Sequence, residues 1–127
     1  MIAIDTNILV RALLNDDPIQ SPLARKTMER ARSILVPVTV IVELAWVLKS
    51  AGWTRSRIYA ALVELEGQAS VHLDRAPEVH QALEDFRAGK ADFADYLALN
   101  LAKSLGARAL LTFDQKLARS PGAERLG

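Results

Sequence analysis

The feature that most constrains the fold is a series of short apolar runs, each about one short strand long and separated by segments of helical character. Met1–Ile4 stops at the turn-and-cap cluster Asp5-Thr6-Asn7, Ser33–Val36 is closed by Pro37, Val71–Leu73 forms a third run, and Ala109–Thr112 ends at Phe113-Asp114. These runs are apolar throughout rather than alternating, which predicts strands buried on both faces, as in a parallel sheet covered by helices. The intervening segments predict helices over Ile8–Leu14, over Ile19–Arg32 with Leu23, Met28 and Ala31 on an inner face, and from a Thr39 cap to Ser50 with Gly52 as the stop. Thr54 caps the next helix, where Ile58, Leu62 and Leu65 follow helical spacing. Pro77 sits near the start of a helix reaching Ala88, and Asp92 can cap one over Phe93–Leu105. A short helix over Gln115–Arg119 and a last strand near Ala123–Leu126 complete the chain. Right-handed crossovers would make this a three-layer α/β/α fold with a short, mainly parallel sheet.

No repeat, low-complexity tract or long linker interrupts the 127 residues, so the expectation is a single domain, 1–127. Half of the residues are apolar and the net charge is only +1, which excludes intrinsic disorder. The chain has no cysteine, so disulfide frameworks, zinc ribbons and cysteine nucleophiles are excluded. Its opening, Met1-Ile2-Ala3-Ile4-Asp5, lacks the basic stretch of a signal peptide, and no apolar run is long enough to span a bilayer. The expected setting is cytoplasmic.

In open α/β sheets, ligands bind beyond the carboxyl ends of the strands. The acids that fall there are Asp5 after the first strand, Glu43 in the helix after the second, Asp92 and Asp95 at the start of the helix before the fourth, and Asp114 after the fourth. Each also has an ordinary use as a helix cap or turn residue. Glu43 is the exception. It stands within Val38-Thr39-Val40-Ile41-Val42-Glu43-Leu44-Ala45-Trp46-Val47-Leu48, a segment apolar nearly all round, which predicts a central helix and a buried carboxylate with no Lys or Arg within a turn.

Carboxylates gathered on one edge repel one another unless some are protonated or a cation holds them. An all-oxygen ligand set favours a hard ion, Mg²⁺ or Mn²⁺, and such ions commonly act on phosphates. With Asp5, Glu43, Asp95 and Asp114 assigned to a metal, the other 11 acids face 16 bases and the remaining surface carries +5, compatible with a polyanionic substrate.

These blocks resemble the PIN-domain ribonucleases, and in particular the VapC-type toxins of type II toxin–antitoxin pairs. Ile4-Asp5-Thr6-Asn7-Ile8-Leu9-Val10 is similar to the family's opening Asp-Thr-Asn block and Val42-Glu43-Leu44 to its helix-borne Glu. Asp92-Phe93-Ala94-Asp95-Tyr96-Leu97-Ala98 resembles the third acidic block, and Leu111-Thr112-Phe113-Asp114 the last. The resemblance implies a PIN-like fold and a metal-dependent endoribonuclease, with Asp5, Glu43, Asp95 and Asp114 as catalytic metal ligands for Mg²⁺ or Mn²⁺. Asp92 could reach a metal through water or merely cap its helix. Asn7 and Thr112 are supporting polar residues beside the acids; Asn7 is equally readable as a turn residue. The implied partners are an RNA substrate, a cognate VapB-like antitoxin seated in a groove near the site, and a second copy in a homodimer. Leu9, Leu13 and Leu14, with Trp46 nearby, supply the apolar surface for such a groove, or else belong to internal core.

Two alternatives stay open on sequence. One is a PIN-like module that binds RNA or protein without catalysis. The other is a haloacid-dehalogenase-like phosphatase, which would want a second Asp where this chain has Asn7. His72 and His80 lie away from the acidic blocks and read as surface or structural residues. Trp46 and Trp53 read as core or partner contacts rather than base-stacking platforms.

Overall fold

A computed structural model describes all residues 1–127, in two compact units, Met1–Asp74 and Arg75–Gly127. No linker composition marks the boundary at Asp74, which is why the sequence reads as undivided.

In the first unit, β1 (Ile2–Ala3), β2 (Ile34–Val36) and β3 (Val71–Leu73) form a parallel sheet in that order, with Ile2 opposite Ile34 and Ile34 opposite Val71. Four helices connect the strands: α1 (Thr6–Leu14), α2 (Gln20–Arg30), α3 (Val38–Ser50) and α4 (Arg55–Gly67). The core is aliphatic. Ile34, Val36, Ile41, Leu44, Leu48 and Leu62 are fully enclosed, and each such side chain contributes roughly 1.5–3 kcal/mol by leaving water. Arg11 of α1 holds α2 by donating to both oxygens of Asp16 and to Gln20.

Three local expectations change here. The cap of α3 is not Thr39: the helix starts at Val38 behind Pro37, and Asp74, the residue after β3, accepts the Val38 amide through Oδ2 at 3.4 Å. On α2 the inner face carries Ser21 and Ala24, while Leu23 is 63% exposed. Small residues allow the close approach of α2 to α1, and the mean character of this helix is polar. Helix α3 is not enclosed all round. Its Thr39, Glu43, Trp46, Lys49 and Ser50 form one exposed stripe, opposite the buried Val40, Ile41, Leu44 and Leu48. Glu43 is therefore a surface carboxylate rather than a buried one. The valines at 38, 42 and 47 are only half-buried and flank the stripe, which is what gives the segment its uniformly apolar look.

In the second unit, α5 (Ala76–Ala88) packs on α6 (Phe93–Ser104), and β4 (Leu110–Thr112) pairs in parallel with β5 (Ala123–Arg125) across a short 3₁₀ turn, Leu117–Arg119. Val79, Leu83 and Phe86 of α5 meet Phe93, Leu97 and Leu99 of α6 in the core, with Phe86 edge-on to Phe93 at 6.2 Å between ring centres. Buried Asn100 donates to Asp85 on α5 and to the Tyr96 carbonyl, both at 2.8 Å. Two of the apolar runs form strands that are not buried on both faces: Ile2 and Ala3 of β1 and Leu111 of β4 are exposed. No helix is long and apolar enough to cross a membrane.

Candidate active site

The acid-bearing elements fall in both units. In the first, β1 and β2 run parallel as neighbours, so Asp5, just after β1, and α3, just after β2, emerge at the same edge of the sheet. Asp5 is the cap of α1: its backbone is extended and its Oδ1 accepts the Ile8 amide at 3.2 Å. The next residue, Thr6, is buried and donates its hydroxyl to Glu43 Oε2 at 2.9 Å. The structure thus brings the Asp-Thr-Asn block and the helix-borne Glu together through Thr6, which the sequence offers only as part of a turn-and-cap cluster. Asn7 is exposed on the first turn of α1.

In the second unit, Asp92 occupies the cap position of α6 but makes no side-chain bond to the helix amides; its carbonyl accepts from Asp95 and Tyr96 instead. Its carboxylate is therefore not consumed by capping. Asp95 is half-buried in the first turn of α6. The loop before it is clamped by Tyr96, whose hydroxyl oxygen accepts the amides of Lys90 and Ala91 at 3.0 and 3.1 Å. Tyr96 reaches them only because residue 89 is glycine: a Cβ there would collide with the phenol oxygen, although the backbone angles of Gly89 suit any residue. Asp114 Oδ1 accepts the amides of Lys116 and Leu117 at 2.7 and 3.1 Å, and Thr112 Oγ1 accepts the amide of Asp114 at 3.0 Å. Asp114 is thus both a turn residue and the end of the fourth block.

Asp5, Glu43 and Asp114 share one pattern. One carboxylate oxygen is fixed by a donor of the protein, and the other has none. An anchored carboxylate with a free oxygen is the form a hard divalent cation takes up with least reorganisation, and the donor set, all oxygen, matches that class of ion. Neither unit by itself gathers three or more acidic or imidazole side chains at metal-holding distance. His72 and His80 are both exposed, as expected of surface residues.

Each unit also carries a cleft. In the first unit a cleft of about 630 Å³ lies among α1, α2 and α4, with Leu9, Leu13, Met28 and Leu65 on its walls and Arg25, Glu29 and Glu64 also lining it. Leu14 and Trp46 do not line it, contrary to the sequence expectation, because Trp46 projects on the exposed stripe of α3. In the second unit a cleft of about 360 Å³ is lined by Lys90, Lys116 and Arg119 beside Asp85 and Tyr96.

A family model described as the PIN domain matches residues 2–122, a span that includes all four acidic blocks. The chain belongs to the PIN domain family. Its α/β architecture with short parallel strands is that of a PIN-like fold. Among solved structures, Mycobacterium tuberculosis VapC20, described as a Sarcin-Ricin loop cleaving toxin, aligns over 98% of this chain and 98% of its own, at 17% identity and a TM-score of 0.48. No curated protein matches the sequence. Membership places the Asp5, Glu43, Asp92–Asp95 and Asp114 blocks of this PIN domain in one matched span, and leaves its substrate and partner to the chemistry of its own residues.

Proposed function

We propose that this PIN domain is a metal-dependent endoribonuclease and the toxin of a VapC-type toxin–antitoxin pair, with Asp5, Glu43, Asp95 and Asp114 as its metal ligands. The observation that carries the reading is the anchored-and-open state of Asp5, Glu43 and Asp114, each held by one oxygen with the other available. The donor set fits Mg²⁺, with Mn²⁺ as the alternative of the same hardness. Such an ion, when bound, supplies positive charge to phosphodiester oxygens and makes a water more acidic.

The residues of the chain do the rest. Thr6 fixes the rotamer of Glu43, and the α1 amide of Ile8 fixes that of Asp5. The amides of Lys116 and Leu117 hold Asp114. Asp92, exposed at the cap position of α6, adds negative charge close in sequence to Asp95. Lys90, Lys116 and Arg119 offer phosphate contacts to the strand. With no histidine in the acidic blocks, attack by water is favoured over attack by the 2′-hydroxyl, which predicts products with 5′-phosphate and 3′-hydroxyl ends.

A VapB-like antitoxin and a homodimer are part of this proposal. The apolar walls of the α1–α2–α4 cleft suit the apolar face of an antitoxin segment.

The test is cleavage of defined RNAs by the purified protein with Mg²⁺, with and without chelator, followed by analysis of the product ends. Chelator-sensitive cleavage leaving 5′-phosphate is expected. Ends carrying 2′,3′-cyclic phosphate, or no cleavage of any RNA, would overturn the reading.

A further inference from the structure

The exposed stripe of α3 places Glu43, Trp46 and Lys49 at successive three-residue steps. Side chains three apart on a helix are neighbours, with Cβ atoms about 5–6 Å apart. Trp46 is 68% exposed and carries neither a second ring nor a cation on its face. Trp53 differs. It is half-buried, and the Arg57 guanidinium covers its ring at 3.8 Å.

A lone exposed apolar side chain is ordinary on a protein surface. What distinguishes Trp46 is its place. It stands one step along the helix from Glu43, whose carboxylate Thr6 holds in a fixed position. If Glu43 serves the reacting phosphate, the indole lies within about one to two nucleotides of it, since stacked nucleotides advance roughly 3.4 Å each. We infer that Trp46 is the stacking platform for the RNA base adjoining the scissile phosphate, and that it selects unpaired RNA. The inference rests on the ribonuclease reading.

An aromatic face takes any base that is free of its own stack, whereas a paired base within a duplex has no face to offer. Lys49, further along the same stripe, adds positive charge in the direction the strand would run. The neighbours of Trp46 also favour a base over a protein partner. Its stripe is polar, with Glu43 on one side and Lys49 and Ser50 on the other, and apolar only at its margin, where Val42 and Val47 are half-buried. The centre of a protein interface is depleted in charged residues, while a base needs only one ring. Exposure removes the expectation that Trp46 is core.

The experiment compares wild type, Trp46→Ala and Trp46→Phe on a short single-stranded RNA with a mapped cut site. The same RNA is also tested with an abasic nucleotide placed in turn on each side of the cut. Trp46→Ala should lower kcat/KM roughly 5- to 100-fold, the loss expected for one base–aromatic stack, and Trp46→Phe should keep most of the activity. One of the two abasic RNAs should lower wild-type kcat/KM by a similar factor and erase the difference between wild type and Trp46→Ala. In a Trp53→Phe background, the remaining indole fluorescence should be quenched when the oligonucleotide binds. Wild-type kcat/KM in Trp46→Ala, or a deficit unchanged on both abasic RNAs, would overturn the inference. A Trp46→Ala protein that turns from dimer to monomer would assign the indole to a protein interface instead. If wild type cleaves no RNA at all, the ribonuclease reading itself fails and this inference goes with it.

Discussion

The acids of the two units are held in different ways. In the first unit, Glu43 depends on one side chain from another element, the Thr6 hydroxyl, and Asp5 on a single helix amide. In the second, Asp114 is gripped by two backbone amides, and the loop leading to Asp95 is clamped by a buried phenol lodged against a glycine. A backbone donor is lost only on substitution by proline, whereas the Thr6 hydroxyl is lost in a conservative exchange, and Asp5 has one amide where Asp114 has two. The first unit should therefore be the sensitive half of the acidic framework, and the second the robust half.

The largest effect should come from Asp5→Asn. Asparagine still accepts the Ile8 amide and is as good a cap, so the melting temperature should hardly move. RNA cleavage should fall by more than about 100-fold, because loss of an outer-shell partner alone commonly costs 10- to 100-fold and a direct ligand costs more. Full activity in a folded Asp5→Asn protein would contradict the assignment.

The next comparison is Thr6→Val against Thr112→Val. Thr6→Val keeps the shape and deletes the donor to Glu43, so activity should drop roughly 10- to 100-fold, with stability changed by about 1 kcal/mol. Thr112→Val deletes an acceptor for the Asp114 amide but leaves both amides on the Asp114 carboxylate. It should stay near wild type. Equal losses in the two variants would remove the distinction between the units.

Gly89→Ala probes the clamp of the second unit through denaturant unfolding. The added methyl must displace the Tyr96 hydroxyl or the loop, at about 1–3 kcal/mol. Gly67→Ala, with nothing within 4 Å of its Cβ, should be neutral or slightly stabilising.

The smallest effect concerns Asp17. The amides of Gln20 and Ile19 hold its carboxyl below the usual range. A depressed folded value means that the ionised form stabilises the fold above the unfolded pKa of about 3.9. Asp17→Ala should melt below wild type at neutral pH, and the gap should close as pH falls below about 4. A gap independent of pH would assign the effect to packing.

Much of the fold was legible because its signals are local. The three runs around Ile2, Ile34 and Val71 are strands in register, Thr54 caps α4 through its hydroxyl, and Gly52 adopts the positive φ expected of a helix stop. The acid blocks were legible because strand ends and helix starts fix where an acid must emerge. What escaped depends on partners distant in sequence. The Thr6–Glu43 bond spans 37 positions, and the cap of α3 comes from Asp74, 36 positions from Val38. The exposure of Glu43 and Trp46 escaped for another reason. An apolar segment with one polar stripe differs from a fully enclosed one by very few residues, and here half-buried valines fill the margin.

Asp5 and Asp114 are each proposed here as metal ligands. Binding of Mn²⁺, followed by electron paramagnetic resonance in wild type, Asp5→Asn and Asp114→Asn, tests this proposal without reference to activity. Either substitution is expected to weaken Mn²⁺ binding markedly while the fold is retained. Unaltered Mn²⁺ affinity in either folded variant would contradict it.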